Sequence, residues 1–385
     1  MVDLAVSSLA LAIFSRTQHN PTAAKEASSR YGRLLRVAQE QITQVRIQKL
    51  SDKGLDECLL TVVLMAWYET TTHRPASLTL NASLISLHSW SHHDGAMAIL
   101  KIWNDSWSHN APSSIIKQAR RGIVRSALLR NLPLPNWIWN GTRFGEHDLD
   151  LAFDSILVRV VNLRHAFKVA EQKKRLQVVN AEYLSSEAQE LDEACRKWES
   201  QIPTEWSYRQ HMIPDSKSWS EKEFYSSTVY SYACHGYAAV WMQYFGVRLL
   251  LDSTRLGLLQ LTYPRQTVDL EFHREHGELT AQLRENSESL SSTIPFSLGR
   301  FKLDRVGALD WSHGGELELT LCVDDEIRPA LALPAVWPLT MGSSIGSIEP
   351  KQETWFRTQL KRLGSVLGDG ALECAGTDQW AHDAL

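Results

Sequence analysis

The sequence predicts an all-α protein, a single large multi-helix body with an irregular insertion around residues 299–328. Three observations carry this. Apolar side chains recur at steps of three and four along most of the chain, and clean period-two alternation is scarce. Of the 385 residues, 43% are hydrophobic and 22% are charged, enough apolar surface for a large core. Clusters of turn-forming residues separate the apolar runs at intervals suited to helix connections, without a composition that would mark a linker between domains. One domain over 1–385 is expected, with an N-terminal half of about 1–140 and a central and C-terminal half of about 141–385.

The first residues, Met1-Val2-Asp3-Leu4-Ala5-Val6, are apolar but acidic at the start. They lack the basic opening of a secretory signal and read as the first turns of a buried helix. Leu59 to Tyr68 is the longest strongly apolar run, about half of the ~20 residues a membrane span requires, and Glu69 ends it. No membrane role is expected. Lys117, Arg120, Arg121, Arg125 and Arg130 form a basic run among Ile115, Ile116, Ile123, Val124, Leu128 and Leu129, which reads as the solvated face of an amphipathic helix.

Leu149, Phe153, Ile156, Val160, Leu163 and Phe167 put six apolar side chains on one stripe of a long helix, and Phe356, Leu360, Leu363 and Leu367 repeat the pattern. From Ser220 to about Ser253 aromatic residues occupy several faces, the mark of a central helix, and Ser220-Glu221-Lys222-Glu223 has the form of a capping box at its start. Breaks fall at Asp52-Lys53-Gly54, His73-Arg74-Pro75, Asn110-Ala111-Pro112, Leu132-Pro133-Leu134-Pro135, Asn140-Gly141 and Ile213-Pro214-Asp215. The least helical stretch is Gly299 to Asp325, centred on Asp310-Trp311-Ser312-His313-Gly314-Gly315, with a short hairpin expected at Leu317 to Val323.

A net charge of −4 argues against an autonomous nucleic-acid binder, because such domains carry a basic excess that neutralises phosphates. The five cysteines, Cys58, Cys195, Cys234, Cys322 and Cys374, stand far apart with no Cys-x-x-Cys pair, so a reducing compartment with free thiols fits. His88 and His92 lie four apart, a spacing that could share a metal, but no third ligand sits at a telling distance. Nucleotide-binding and serine-hydrolase motifs are missing, and the pairs Asp148/Asp150 and Asp324/Asp325 read as exposed loop or cap acids. No catalytic, cofactor-binding or metal-binding residue is therefore expected. The plainer reading of the aromatic helix is core; the candidate place for an effector cavity is beside it, at Tyr237, Trp241 and Tyr244.

Several motifs, in order, resemble the helical regulatory domain of fungal zinc-cluster transcription factors. Leu9-Ala10-Leu11-Ala12 and Tyr31-Gly32-Arg33-Leu34-Leu35 are similar to its first two helices. Leu59 through Trp67-Tyr68-Glu69 resembles its apolar helix ending in an aromatic and a glutamate, and His92-His93-Asp94-Gly95-Ala96 its histidine, acid, glycine and alanine turn. Trp198 to Trp206, His235-Gly236-Tyr237 through Arg248-Leu249-Leu250-Leu251, Ile294-Pro295-Phe296-Ser297-Leu298-Gly299, Trp337-Pro338-Leu339, Trp355 and Leu360 to Gly368 continue the likeness.

The resemblance implies regulation of transcription in the nucleus, with a metabolic gene set as target. It implies protein partners, either a second copy in a homodimer or a DNA-binding transcription factor. It gives His92 a packing role. Zinc is expected only in a six-cysteine module on the N-terminal side, which these five cysteines cannot supply, so DNA is expected to be reached only through that missing module or a partner. The amphipathic stripes alone would equally permit a helical interaction scaffold unrelated to transcription.

Overall fold

The computed structural model describes residues 1–44, 52–73, 84–106, 110–172, 178–214, 220–263, 270–305, 317–377 and 380. The fold is all-α: twelve α-helices and two small two-stranded sheets among the described residues. They group into two compact units, Met1–Trp198 with Leu367–Leu385, and Glu199–Val366.

The first unit contains α1 (Val2–Thr17), α2 (Pro21–Gln44), α3 (Asp52–Thr72), α4 (Leu84–Ser106), α5 (Ser114–Leu129), α6 (Asp148–Gln172), most of α7 (Val178–Ser200) and the short α12 (Gly370–Glu373). Small side chains set the close approach of α1 and α2, where Ala5, Ala12, Ala23 and Ala27 are buried. Pro21 stands at the first position of α2, where its missing N–H costs nothing, and the Asn20 side chain accepts the Ala23 N–H at 3.0 Å. Ser113 caps α5 by accepting the Ile116 N–H at 3.2 Å, and its hydroxyl donates to Asp56 at 2.7 Å, tying α5 to α3. The predicted stripe lies on α6, with Ile156, Val160, Leu163 and Phe167 buried and Phe153 against Trp198 at a centroid distance of 4.8 Å. The Asp52-Lys53-Gly54 break belongs to α3, which begins at Asp52.

The second unit is built on α8 (His235–Thr262) and α9 (Leu270–Ser297), which pack along each other, with α10 (Pro329–Gly342) and α11 (Pro350–Leu367) around them. Gly246 of α8 faces α10: a Cβ there would lie in van der Waals contact with the Trp337 ring at 3.4 Å and with Pro338 Cα at 3.6 Å. Strands β1 (Arg209–Met212) and β2 (Thr228–Ser231) pair antiparallel, as do β3 (Phe301–Arg305) and β4 (Leu317–Leu321). Ile213, Phe224, Val229, Phe301 and Leu319 form one apolar cluster from both sheets.

Two local expectations change. The aromatic helix starts at His235, not at Ser220. Ser220 instead makes a turn: its carbonyl accepts the Glu223 and Phe224 N–H groups, and its hydroxyl accepts the Lys222 N–H. The Glu223 side chain pairs with Arg362 on α11 and so does not return to the cap. The extended run Thr228–Ser231 then intervenes before α8. Within the expected insertion, Leu317–Leu321 is one strand whose partner is Phe301–Arg305, so the pairing is not confined to 317–323. The central Asp310–Gly315 stretch lies outside the described residues.

Candidate functional site

The expected effector residues sit near the start of α8 as part of an aromatic cluster. Tyr237 stacks on Trp206 at 5.1 Å, and Trp241 lies edge-on to Tyr208 at 5.1 Å and to Tyr244 at 5.6 Å. Both buried polar tips have protein partners: the Trp241 indole N–H donates to the Trp206 carbonyl at 2.8 Å, and the Tyr244 hydroxyl donates to Glu199 at 2.8 Å. The two buried polar tips, those of Trp241 and Tyr244, are thus satisfied within the protein, as an aromatic core requires.

The polar features that sequence alone leaves scattered gather in the first unit, around one turn of α4. His92 turns toward α2 and α3. Its Nε2 lies 2.9 Å from Glu69 Oε1, which also accepts the Tyr31 hydroxyl at 2.8 Å. The Tyr31 ring stacks on Tyr68 at 3.9 Å. Burial, reinforced by the Glu69 carboxylate, drives the Tyr31 hydroxyl far above its ordinary pKa, so it stays protonated and donates. Glu69 Oε2 is buried with no hydrogen-bond partner among the described residues. His92 is thus a half-buried residue held against Glu69 and Tyr31. The His88 side chain lies outside the described residues, and among those described no group of three or more His, Cys, Asp or Glu is placed to hold a metal.

His93, the next residue, turns toward α5 and opens onto a cavity of about 220 Å³. Met97, Ile123, Ala127, Leu132, Pro133 and Pro135 give it apolar walls. Asp94 and Arg130 form a two-pronged ion pair at its edge, with N–O distances of 2.5 and 3.2 Å. The Arg130 guanidinium also lies over the Trp90 ring, 5.5 Å from its centroid, and the His93 ring contacts the same indole at 5.3 Å. Burial lowers the His93 pKa from its usual 6.5; Arg130 and His92 push the same way against Asp94, so the imidazole is neutral at pH 7. Among the described residues the His93 ring makes no hydrogen bond to protein. Sequence reasoning missed this cavity. The available signal was the apolar loop Leu132-Pro133-Leu134-Pro135, where prolines offer carbon surface without donors.

The basic run on α5 is not a solvated face. Arg120 is 0% exposed and donates to both Asp154 oxygens at 2.6 and 2.7 Å, to the Ile138 carbonyl at 2.9 Å and to the Trp139 carbonyl at 3.3 Å. Arg121 holds the buried Glu146 at 2.7 and 2.6 Å and Asp150 at 3.0 Å, and Lys117 reaches Glu146 at 3.1 Å. The hydrogen-bonded Glu146 carboxylate is the main reason the Arg121 pKa rises. Lys117, Arg120 and Arg121 turn inward to acids supplied by the chain that follows the helix. Asp148, Asp324 and Asp325 are exposed, as expected for loop and cap acids. Cys195 and Cys374 are buried free thiols, and Cys234 is exposed.

No helix among the described residues is long and apolar enough to cross a membrane. Comparison with protein-family models, with curated proteins and with solved structures gave no match for this chain.

Proposed function

We propose that this chain is the helical regulatory region of a transcription regulator of the fungal zinc-cluster type. It acts in the nucleus on a metabolic gene set, through a protein partner that is a second copy or a DNA-binding factor, and it performs no catalysis. The observation that carries this reading is the meeting of three of the motifs on which the resemblance rests. Tyr31, Glu69 and His92 belong to segments 38 and 61 residues apart from the first, yet they share hydrogen bonds around one carboxylate. In the second unit Trp206 lies on Tyr237, and Trp337-Pro338 lies on Gly246, joining further segments of the same resemblance. Contacts that join the quoted segments support the reading, because they place those segments together in packed cores.

The test is deletion of the gene with transcript profiling, alongside a fluorescent fusion expressed from the native locus. The reading expects a nuclear fusion and a discrete set of changed transcripts. A fusion excluded from the nucleus, with an unchanged transcriptome, overturns it. The scaffold reading keeps one observation in its favour: Val6, Ala10 and Phe14 form an exposed apolar line at four-residue spacing on α1, and Val6 and Phe14 are each about half exposed. It expects stable co-purifying proteins with no change in transcripts.

A further inference from the structure

We propose that the cavity between α4 and α5 binds a small neutral ring bearing one hydroxyl group, a ligand of phenol type, with His93 as its hydrogen-bond partner. Size comes first. A dry apolar cavity of about 150 Å³ accommodates benzene; this one, at about 220 Å³, has room for a ring and a substituent. The walls select an apolar body, since Met97, Ile123 and Ala127 present only carbon and sulfur side-chain atoms to it.

The polar edge selects the rest. Arg130 is the cation at the cavity, and Asp94 already grips it with both oxygens, so an anionic ligand would have to displace that carboxylate or lie against it. A cationic ligand would find Asp94 engaged and Arg130 repelling it. The half-buried His93 imidazole has no hydrogen bond to protein among the described residues and lines the same space. One hydroxyl on the ligand would supply the partner that water otherwise provides. The site is distinct from the Tyr237, Trp241 and Tyr244 cluster, and the proposal does not depend on the transcriptional reading, because it is decided by binding to the purified chain.

The experiment is calorimetric titration of the full chain with phenol, toluene and benzoate at pH 7.5, followed by the variants Ala127→Leu, Met97→Trp and His93→Phe. Saturable binding of phenol is expected, about tenfold tighter than toluene, a ratio suited to one hydrogen bond, and benzoate is expected not to bind. Filling the cavity with Ala127→Leu should abolish phenol binding, and Met97→Trp, at a half-buried position on the wall, serves if that variant fails to fold. His93→Phe should bring phenol down to the level of toluene. The proposal is overturned if phenol does not saturate, if benzoate binds more tightly than phenol, or if phenol binds the folded cavity-filled variants unchanged.

Discussion

Arg120 offers the sharpest test of the inward-facing cations. Replacing Asp154 with alanine removes two charge-assisted hydrogen bonds and leaves a guanidinium with 0% exposure held only by the carbonyls of Ile138 and Trp139. Breaking a buried pair in this way costs about 3–5 kcal/mol. Arg120→Met costs a similar amount, because it leaves the Asp154 carboxylate, 7% exposed, without its counter-charge. In the double variant neither charge remains, and the residual loss is that of the orphaned carbonyls, about 1–3 kcal/mol each. Because Arg120→Met orphans the same two carbonyls, that loss cancels in the cycle, and the coupling energy should exceed about 2 kcal/mol. The assay is urea unfolding followed by tryptophan fluorescence and far-ultraviolet dichroism, with stability extrapolated to water. A solvated helix face would give single losses within about 0.5 kcal/mol and additive effects. Single losses below about 1 kcal/mol, or a double loss equal to the sum of the two, would refute the burial argument.

Tyr31→Phe keeps the stack on Tyr68 but removes the donor to Glu69, and should cost about 1.5–3 kcal/mol, the range for a hydrogen bond to a charged group; a shift in urea midpoint equivalent to under about 0.5 kcal/mol would mean that water replaces the phenol. Gly370→Ala places a Cβ 2.0 Å from the His73 carbonyl oxygen, a backbone atom that no rotamer can move aside, so α12 should detach and expose the last turns to protease; an unchanged digestion pattern would count against this packing. Asp369 is partly buried and its carboxyl pKa is raised above 3.8, chiefly by desolvation. The folded state thus holds this proton more tightly than the unfolded chain, and the contribution to stability is full below pH 3.8 and is lost as pH rises through the folded value. Asp369→Asn, which keeps an acceptor for the Ala371 and Leu372 N–H groups, should gain stability relative to the parent at pH 7 over pH 3.5; equal differences at the two values would contradict the sign.

What sequence could reveal here was what lies within about one helix. The stripes on α6 and α11 were legible because burial on one side of a helix follows from spacing alone. The start of α8 was not, since Ser220-Glu221-Lys222-Glu223 has the residues of a cap, and only the strand Thr228–Ser231 shows that it closes a turn. Pro295 likewise falls inside α9, tolerated in its final turn before Gly299 takes a positive φ of 67°. The burial of Arg120 depends on Asp154, 34 residues away, and no local pattern distinguishes an inward arginine from a solvated one. Aromatic density drew attention to Tyr237, Trp241 and Tyr244, yet density is also what a satisfied core produces. The His93 cavity draws its walls from α4, α5 and a proline loop, three pieces that periodicity treats separately.

The first unit is discontinuous: its closing piece comes from after residue 366. There Arg16 donates to the carbonyls of Thr71 and His73 and pairs with Glu373, while Thr70 donates to Asp369 at 3.0 Å. During synthesis α1 and α3 must therefore wait for about 300 further residues, the second unit among them, before Glu373 arrives, roughly fifteen to sixty seconds at ribosomal rates. Through that interval Arg16 has its carbonyls but not its carboxylate, and the ends of α1 and α3 stand open. A nascent chain stalled or cut before residue 369 would leave that surface open for good.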